Sequence, residues 1–343
     1  MIIDGHLDLA YNVIAFRRNI CHELEKLRQE DSANSPGTAG VCLPELRNAD
    51  VRICFGTIFI APMSPKADLS EYQVLYNTPK EAYEKGMAQL NYYHALANLD
   101  DCGQIHIIGN QADLKFVLEN KKQPQLGIVP LMEGAEGIRT PSDVVHWHEK
   151  GLRIVGPAWA DTQYAYCSWN NVDGFTPAGF SLMQKMQELD MILDLSHLSE
   201  IAVDDALGFY EGPIIASHCN AKSICDSPRN LTDAQIKEIA NRGGVIGLVM
   251  YDSFITKAHK PDFNDLIRHA EHIAELTGDC HSIAIGSDID GGFGLEKTPK
   301  EINKYSDIAR LESFMARANF TSDQIDKIMY RNWRDFLKKY LPY

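Results

Sequence analysis

The chain has little positive charge, no long apolar run and no patterned cysteine, and each absence removes a class of protein. Lys and Arg number 33 against 47 Asp and Glu, for a formal charge of -14 and a pI near 5.3. Nucleic acid and anionic lipid both demand clustered basic side chains, so neither is an expected partner, and a small-molecule substrate is. No run approaches membrane-spanning length, and the first residues enter a strand-like segment with no basic or apolar leader, so a cytoplasmic protein is expected. The eight cysteines, at 21, 42, 54, 102, 167, 219, 225 and 280, show no CxxC spacing. A zinc ribbon or disulfide framework is therefore not expected, and most of them read as reduced core or loop thiols. No Pro/Ser-rich linker, charge block or internal repeat divides the chain. With 45% hydrophobic residues it can fill one large core, and a single domain over 1–343 is expected.

What is present is a regular alternation. Short, β-branched apolar runs at 2–6, 51–60, 127–133, 152–159, 191–197, 213–218, 244–250 and 282–288 are separated by amphipathic stretches such as 79–99, 142–150, 178–189, 199–208, 233–242 and 262–276. Strands alternating with helices imply a parallel sheet, and eight such units suit an α/β fold of the closed (β/α)8, TIM-like barrel type. A doubly wound sheet is the competing architecture. It usually carries a Gly-rich phosphate turn after its first strand, and here that turn holds His6 and Asp8 instead. The segment 16–44, charged and then rich in Ser, Gly and Pro around 32–40, is the first loop above the strands, either a lid or a solvated excursion.

In a barrel the chemistry sits at the C-terminal strand ends. There this chain places His6 and Asp8, Glu133, His197, His218 and Asp288. His6 and Asp8, two apart on a strand end, can converge on one ion; imidazole and carboxylate without thiolate suit Zn²⁺ or a similar divalent metal in an open catalytic site. Glu133 ends a mostly apolar strand, where an unpaired carboxylate is costly, and can bridge two ions. His197 and His218 end adjacent strands and would hold the second. Asp288, on the last strand and beside the first, is placed to move a proton as general acid/base. Asp290 reads as fixing its turn or supporting the site from behind. Histidines 22, 94, 106, 146, 148, 259, 269, 272 and 281 fall away from this rim. His146 and His148, two apart on a helix, face nearly opposite ways and are discounted as a metal pair.

These residues, with ASHCNAKSICDSPRNLTD over 216–233, GSDIDG over 286–291, FTPAG over 175–179, DLSHLS over 194–199 and the late Asn332-Trp333, resemble the membrane (renal-type) dipeptidase family of the amidohydrolase superfamily almost end to end. The resemblance implies a distorted barrel with two zinc ions, one held by His6, Asp8 and Glu133 and the other by Glu133, His197 and His218. It implies hydrolysis of dipeptides, including L-Xaa-D-Xaa, by a metal-bridging hydroxide, and a homodimer. It assigns Arg229 to the substrate carboxylate, which the planar guanidinium suits. Tyr251 is a second candidate for that carboxylate or a packing residue. One departure stands out: where such dipeptidases carry a Thr-His pair after the fourth strand, this chain has Ala158-Trp159. Indole offers one N–H donor or an apolar wall. The expectation is thus a zinc dipeptidase; the alternatives are a related hydrolase of another amide, such as an N-acyl amino acid, or a silent metal-binding protein.

Overall fold

The computed structural model describes residues 1–31, 37–63, 74–99, 104–120 and 124–343. Eight parallel strands form a closed barrel: β1 (Ile2–Leu7), β2 (Val51–Phe59), β3 (Leu126–Glu133), β4 (Ile154–Gly156), β5 (Ile192–Asp194), β6 (Ile214–Ala216), β7 (Val245–Leu248) and β8 (Ile283–Ile285). Each pairs with the next in sequence, and β8 returns to β1 through Asp4↔Ile285. The longest pairing joins β2 to β3 over Ile53↔Gly127 to Phe59↔Glu133. A further strand, Ile105–Ile107, adds to the start of β3. The strands are covered on both faces, which is why they read as Ile, Val and Leu runs rather than as alternating patterns.

Helices follow the strands where the amphipathic stretches lie, including Pro79–Leu96, Pro177–Glu188, Glu200–Phe209, Asp233–Asn241 and Phe263–Thr277. Their starts are encoded locally. Thr78, Thr176, Ser199 and Thr232 accept N–H groups of the first turn, and Pro79 and Pro177 occupy first helical positions where no donor is needed.

The late Asn332-Trp333 pair plugs the barrel floor. Trp333 is fully buried, donates its indole N–H to the Ile285 carbonyl at 2.7 Å and packs against Phe55, while Asn332 donates to the carbonyls of Cys280 and Ile283. Gly5 is required beside it, because a Cβ there would lie 2.7 Å from the Trp333 ring.

Three local features go beyond the sequence reading. Segment 16–44 is not without structure, since it carries the helix Leu24–Glu30 and leads into Leu43–Asn48; its residues 32–36 lie outside those described. Cys21 is disulfide-bonded, while Cys42, Cys54, Cys167, Cys219, Cys225 and Cys280 are free and buried; Cys102 lies outside the described residues. Strand β1 also contains an irregularity: from Asp4↔Cys54 to Leu7↔Gly56 it advances three residues while β2 advances two. Such a bulge re-aims side chains at a strand end, and it lies just where His6 is presented.

Candidate metal centre

Five of the strand ends, those of β1, β3, β5, β6 and β8, bring His6, Asp8, Glu133, His197, His218 and Asp288 together at the barrel mouth. The arrangement is organised around Glu133. Its Oε1 lies 2.7 Å from His197 Nε2 and 3.6 Å from His218 Nε2, and its Oε2 lies 3.6 Å from His6 Nε2. His6 Nε2 is also 3.4 Å from Asp8 Oδ2 and 3.9 Å from Asp288 Oδ1. The two remaining imidazole nitrogens, His197 Nε2 and His218 Nε2, approach to 2.9 Å.

The chemistry of this donor set fits divalent cations. His6, Glu133 and His218 form one group whose ligand atoms lie within 4.8 Å of one another, and His6, Asp8 and Asp288 form a second. Asp8 Oδ1 is buried without a hydrogen-bond partner. Three carboxylates crowded into a desolvated space need a cation, and oxygen and imidazole donors with no thiolate suit zinc-like ions at an open site.

Two supports hold the imidazoles and strand ends in place. Asp194 accepts the Ser217 hydroxyl at 2.5 Å and the N–H groups of Ser196 and Ser217. The Ser217 hydroxyl has one proton and gives it to Asp194, so its 2.8 Å contact with His218 Nδ1 requires Nδ1–H to be the donor. That tautomer leaves the His218 Nε2 lone pair aimed into the site. Asp4 plays the corresponding part between β1 and β8, accepting the N–H groups of His6 and Ser287 and the Tyr305 hydroxyl at 2.6 Å. Neither aspartate was singled out from sequence, although an acidic residue inside an apolar strand two or three positions before a candidate ligand is a usable signal.

Backbone strain marks the same place. His197 (φ 69°) and Asp288 (φ 57°) are both left-handed. For residues other than glycine this costs about 1–2 kcal/mol each and persists only where the surroundings enforce it.

The electrostatics divide the site. Burial acts against the His6 cation, yet Glu133 and Asp8 lift its pKa well above the ordinary value. Burial, with Asp8 and Glu133 beside it, raises Asp288 well above the usual carboxylate range, and Asp8 is raised by burial. Burial also works to raise Glu133, but His6 and His197 hold it well below. His197 is pushed down to about 4 by burial and by Arg229, and His218 is pushed well below its ordinary value by burial, His6 and Arg229.

The other candidates have distinct positions. Arg229 is buried on the loop after β6; it reaches the His218 carbonyl at 3.4 Å and Cys219 Sγ at 3.8 Å, and its Nε has no partner. Among the described residues it pairs with no carboxylate. Tyr251, after β7, meets Phe254 at a tilt and Phe293 edge-on, at 4.7 Å from each. Trp159 meets Phe59 edge-on at 4.9 Å and lies 6.2 Å from the His197 ring. With Phe59, Asp8, Glu133, His197, Asp288 and Gly291 it lines the small cavity above the donors. Asp290 does not mainly fix its own turn. Its carboxylate accepts the N–H groups of Gly40 and Val41, tying the end of the first loop to β8. Asn12, also unremarked in the sequence, donates to the carbonyls of Asp8 and Asp290 and accepts from Arg18. His146 and His148 flank the buried Trp147 and contribute nothing here.

Residues 1–339 match the model of the membrane dipeptidase family, peptidase family M19. An uncharacterized dipeptidase of Schizosaccharomyces pombe is 27% identical over 320 residues, covering 90% of this chain and 73% of that protein. A Klebsiella pneumoniae protein encoded in the pqqA 5' region is 29% identical over 249 residues, covering 69% and 89%. The fold is shared with a Rhodobacter sphaeroides metallo peptidase, whose crystal structure contains a phosphinate mimic of the dipeptide L-Ala-D-Ala. Its TM-score is 0.84 at 24% identity, over 99% of both chains. Among the described residues no helix is long and apolar enough to cross a membrane.

Proposed function

The chain belongs to the membrane dipeptidase family, a family of metallo-dipeptidases, and we propose that it hydrolyses dipeptides, L-Xaa-D-Xaa among them, with two zinc ions. The observation that carries this reading is the division of Glu133, one oxygen facing His197 and His218 and the other facing His6. In this reading His6, Asp8 and Glu133 hold one ion and Glu133, His197 and His218 the other. Zinc bound there supplies Lewis acidity toward the amide carbonyl and lowers the pKa of water.

The chain's own groups account for the rest. Asp288 lines the cavity with 13% of its side chain exposed, within reach of the reacting groups. It takes the proton from water and returns it to the leaving nitrogen. Arg229, buried and without an anionic partner among the described residues, receives the substrate's free carboxylate; a desolvated guanidinium gains most from a bidentate carboxylate. Tyr251 flanks that position. The dipeptide assignment draws support from the mimic bound by the Rhodobacter sphaeroides protein. Trp159 favours a second reading. It supplies an apolar wall with Phe59 where a histidine would donate to an oxyanion, and such a wall accommodates the acyl group of an N-acyl amino acid equally well.

The test is release of free amino acids from mixed L,L and L,D dipeptides, beside N-acyl amino acids, with metal content measured on the same sample. Dipeptide turnover with about two zinc per chain is expected. Turnover confined to N-acyl substrates would move the assignment to the second reading, and a protein that takes up no zinc would remove both.

A further inference from the structure

Beside Arg229 the site has an aromatic flank that extends beyond the groups assigned to the reaction. The Arg229 guanidinium carbon lies 5.3 Å over the Phe254 ring. Phe254 meets Tyr251 at 4.7 Å and Trp169 at 6.0 Å, both at a tilt, and Tyr251 meets Phe293 at 4.7 Å. The four rings come from three different loops at the C-terminal barrel face: Trp169 after β4, Tyr251 and Phe254 after β7, and Phe293 after β8. Phe254 is buried, but Trp169 is 58% exposed. Its position is nonetheless built, because the preceding Ser168 N–H donates to the His197 carbonyl at 2.7 Å and Cys167 N–H donates to Asp161. An indole more than half exposed at the rim, on a segment held by a backbone bond to His197, is an available contact surface.

Resting on the dipeptidase reading, we infer that this aromatic flank receives the side chain of the substrate's C-terminal residue, with Trp169 as a specificity-determining residue. The carboxylate and that side chain branch from the same carbon. A carboxylate held at Arg229 therefore leaves the side chain beside Phe254, whose ring lies 5.3 Å from the guanidinium carbon and carries Tyr251 at 4.7 Å and Trp169 at 6.0 Å. Aromatic and large apolar C-terminal residues gain contact there. A C-terminal Asp or Glu brings a second negative charge against the negative faces of the rings and is disfavoured. The N-terminal side chain sits across the cavity, on the Phe59 and Trp159 side, so the two ends of the substrate are read by separate surfaces.

The experiment compares kcat/KM of zinc-loaded wild type and Trp169→Ala on Ala-Phe, Ala-Ala, Ala-Asp and Phe-Ala, each in the C-terminal configuration the wild type cleaves. Wild type is expected to prefer Ala-Phe to Ala-Ala and to act poorly on Ala-Asp. Trp169→Ala should lose about three- to tenfold on Ala-Phe, chiefly through KM, and distinctly less on Ala-Ala and Phe-Ala. Trp169→Phe should recover most of the preference. Substitution of so exposed a residue leaves the fold intact. Equal losses on all substrates, no loss, or a loss centred on Phe-Ala would overturn the inference while leaving the dipeptidase reading standing. Failure of the zinc-loaded wild type to cleave any of the four would remove that reading and the inference with it.

Discussion

The two oxygens of Glu133 look into opposite environments. On the Oε2 side stand His6, Asp8 and Asp288, three acidic residues counting Glu133 itself around one imidazole. On the Oε1 side stand His197 and His218, backed by Arg229. On the first side Glu133 and Asp8 lift His6 well above its ordinary pKa against the effect of burial, and burial raises Asp8 and Asp288. On the second both imidazoles are depressed by burial and Arg229. One carboxylate thus spans a gradient. In the proposed reading it would bridge two cations, drawn by negative charge on one side and met by imidazole lone pairs on the other. A dipeptide zwitterion laid along that gradient would then be oriented by it, carboxylate toward Arg229 and ammonium toward the acids.

Removing the residue that belongs to both sides should have the largest effect. Glu133→Gln is expected to abolish detectable turnover and to weaken metal binding by more than about 100-fold, read as zinc retained after dialysis. Unchanged zinc content would end the bridging assignment. On the acidic side, Asp288→Asn should keep both metals and lose about 10²- to 10⁴-fold in kcat, because only the proton transfer is removed. A variant with normal kcat, or one that loses metal in parallel, would contradict the proton-transfer role. On the basic side, Arg229→Ala should raise KM about 10- to 100-fold for dipeptides with a free carboxylate and far less for C-terminally amidated analogues. Equal effects on the two would defeat the clamp.

The smallest expected effect concerns His269, which extends the neutral character of the second side behind the Arg229 loop. Its Nδ1 accepts the Ala221 N–H and its Nε2–H donates to the Ile255 carbonyl. Burial pushes it down to about 4 from 6.5. The folded state therefore binds fewer protons than the unfolded state between these values. Stability is full above pH 6.5 and declines as pH falls through the window toward 4, by at most about 3 kcal/mol for this group. His269→Asn, which keeps one acceptor and one donor without titrating, should flatten that decline in urea unfolding midpoints. An unaltered slope would mean that the native His269 is not held neutral.

Much of this arrangement is legible in the sequence. The eight apolar runs became the eight barrel strands because parallel strands covered on both faces must be continuously apolar, and the Thr and Ser helix starts are local hydrogen-bonding decisions. His6, Asp8, Glu133, His197, His218 and Asp288 stood out because polar groups at the ends of apolar runs are expensive unless used. Less legible were Asp4 and Asp194, whose partners, Ser287 and Tyr305 for one and Ser217 for the other, are remote in sequence. Asp290 reads locally as a turn residue, yet its carboxylate serves Gly40 and Val41, some 250 positions away. Trp169 gave no signal at all: an aromatic residue in a loop is unremarkable until Phe254 and Arg229 are found beside it.

Period, polarity and local capping are properties of neighbouring residues, and they suffice for strand order, for helix starts and for the list of groups that meet at the barrel mouth. Which oxygen of Glu133 faces which histidine, the left-handed backbone of His197 and Asp288, the bulge in β1 and the charge gradient across the site depend on distances and burial set by barrel closure. Electrostatic and packing energies in a desolvated space are sums over groups far apart in the chain, and no local pattern contains them.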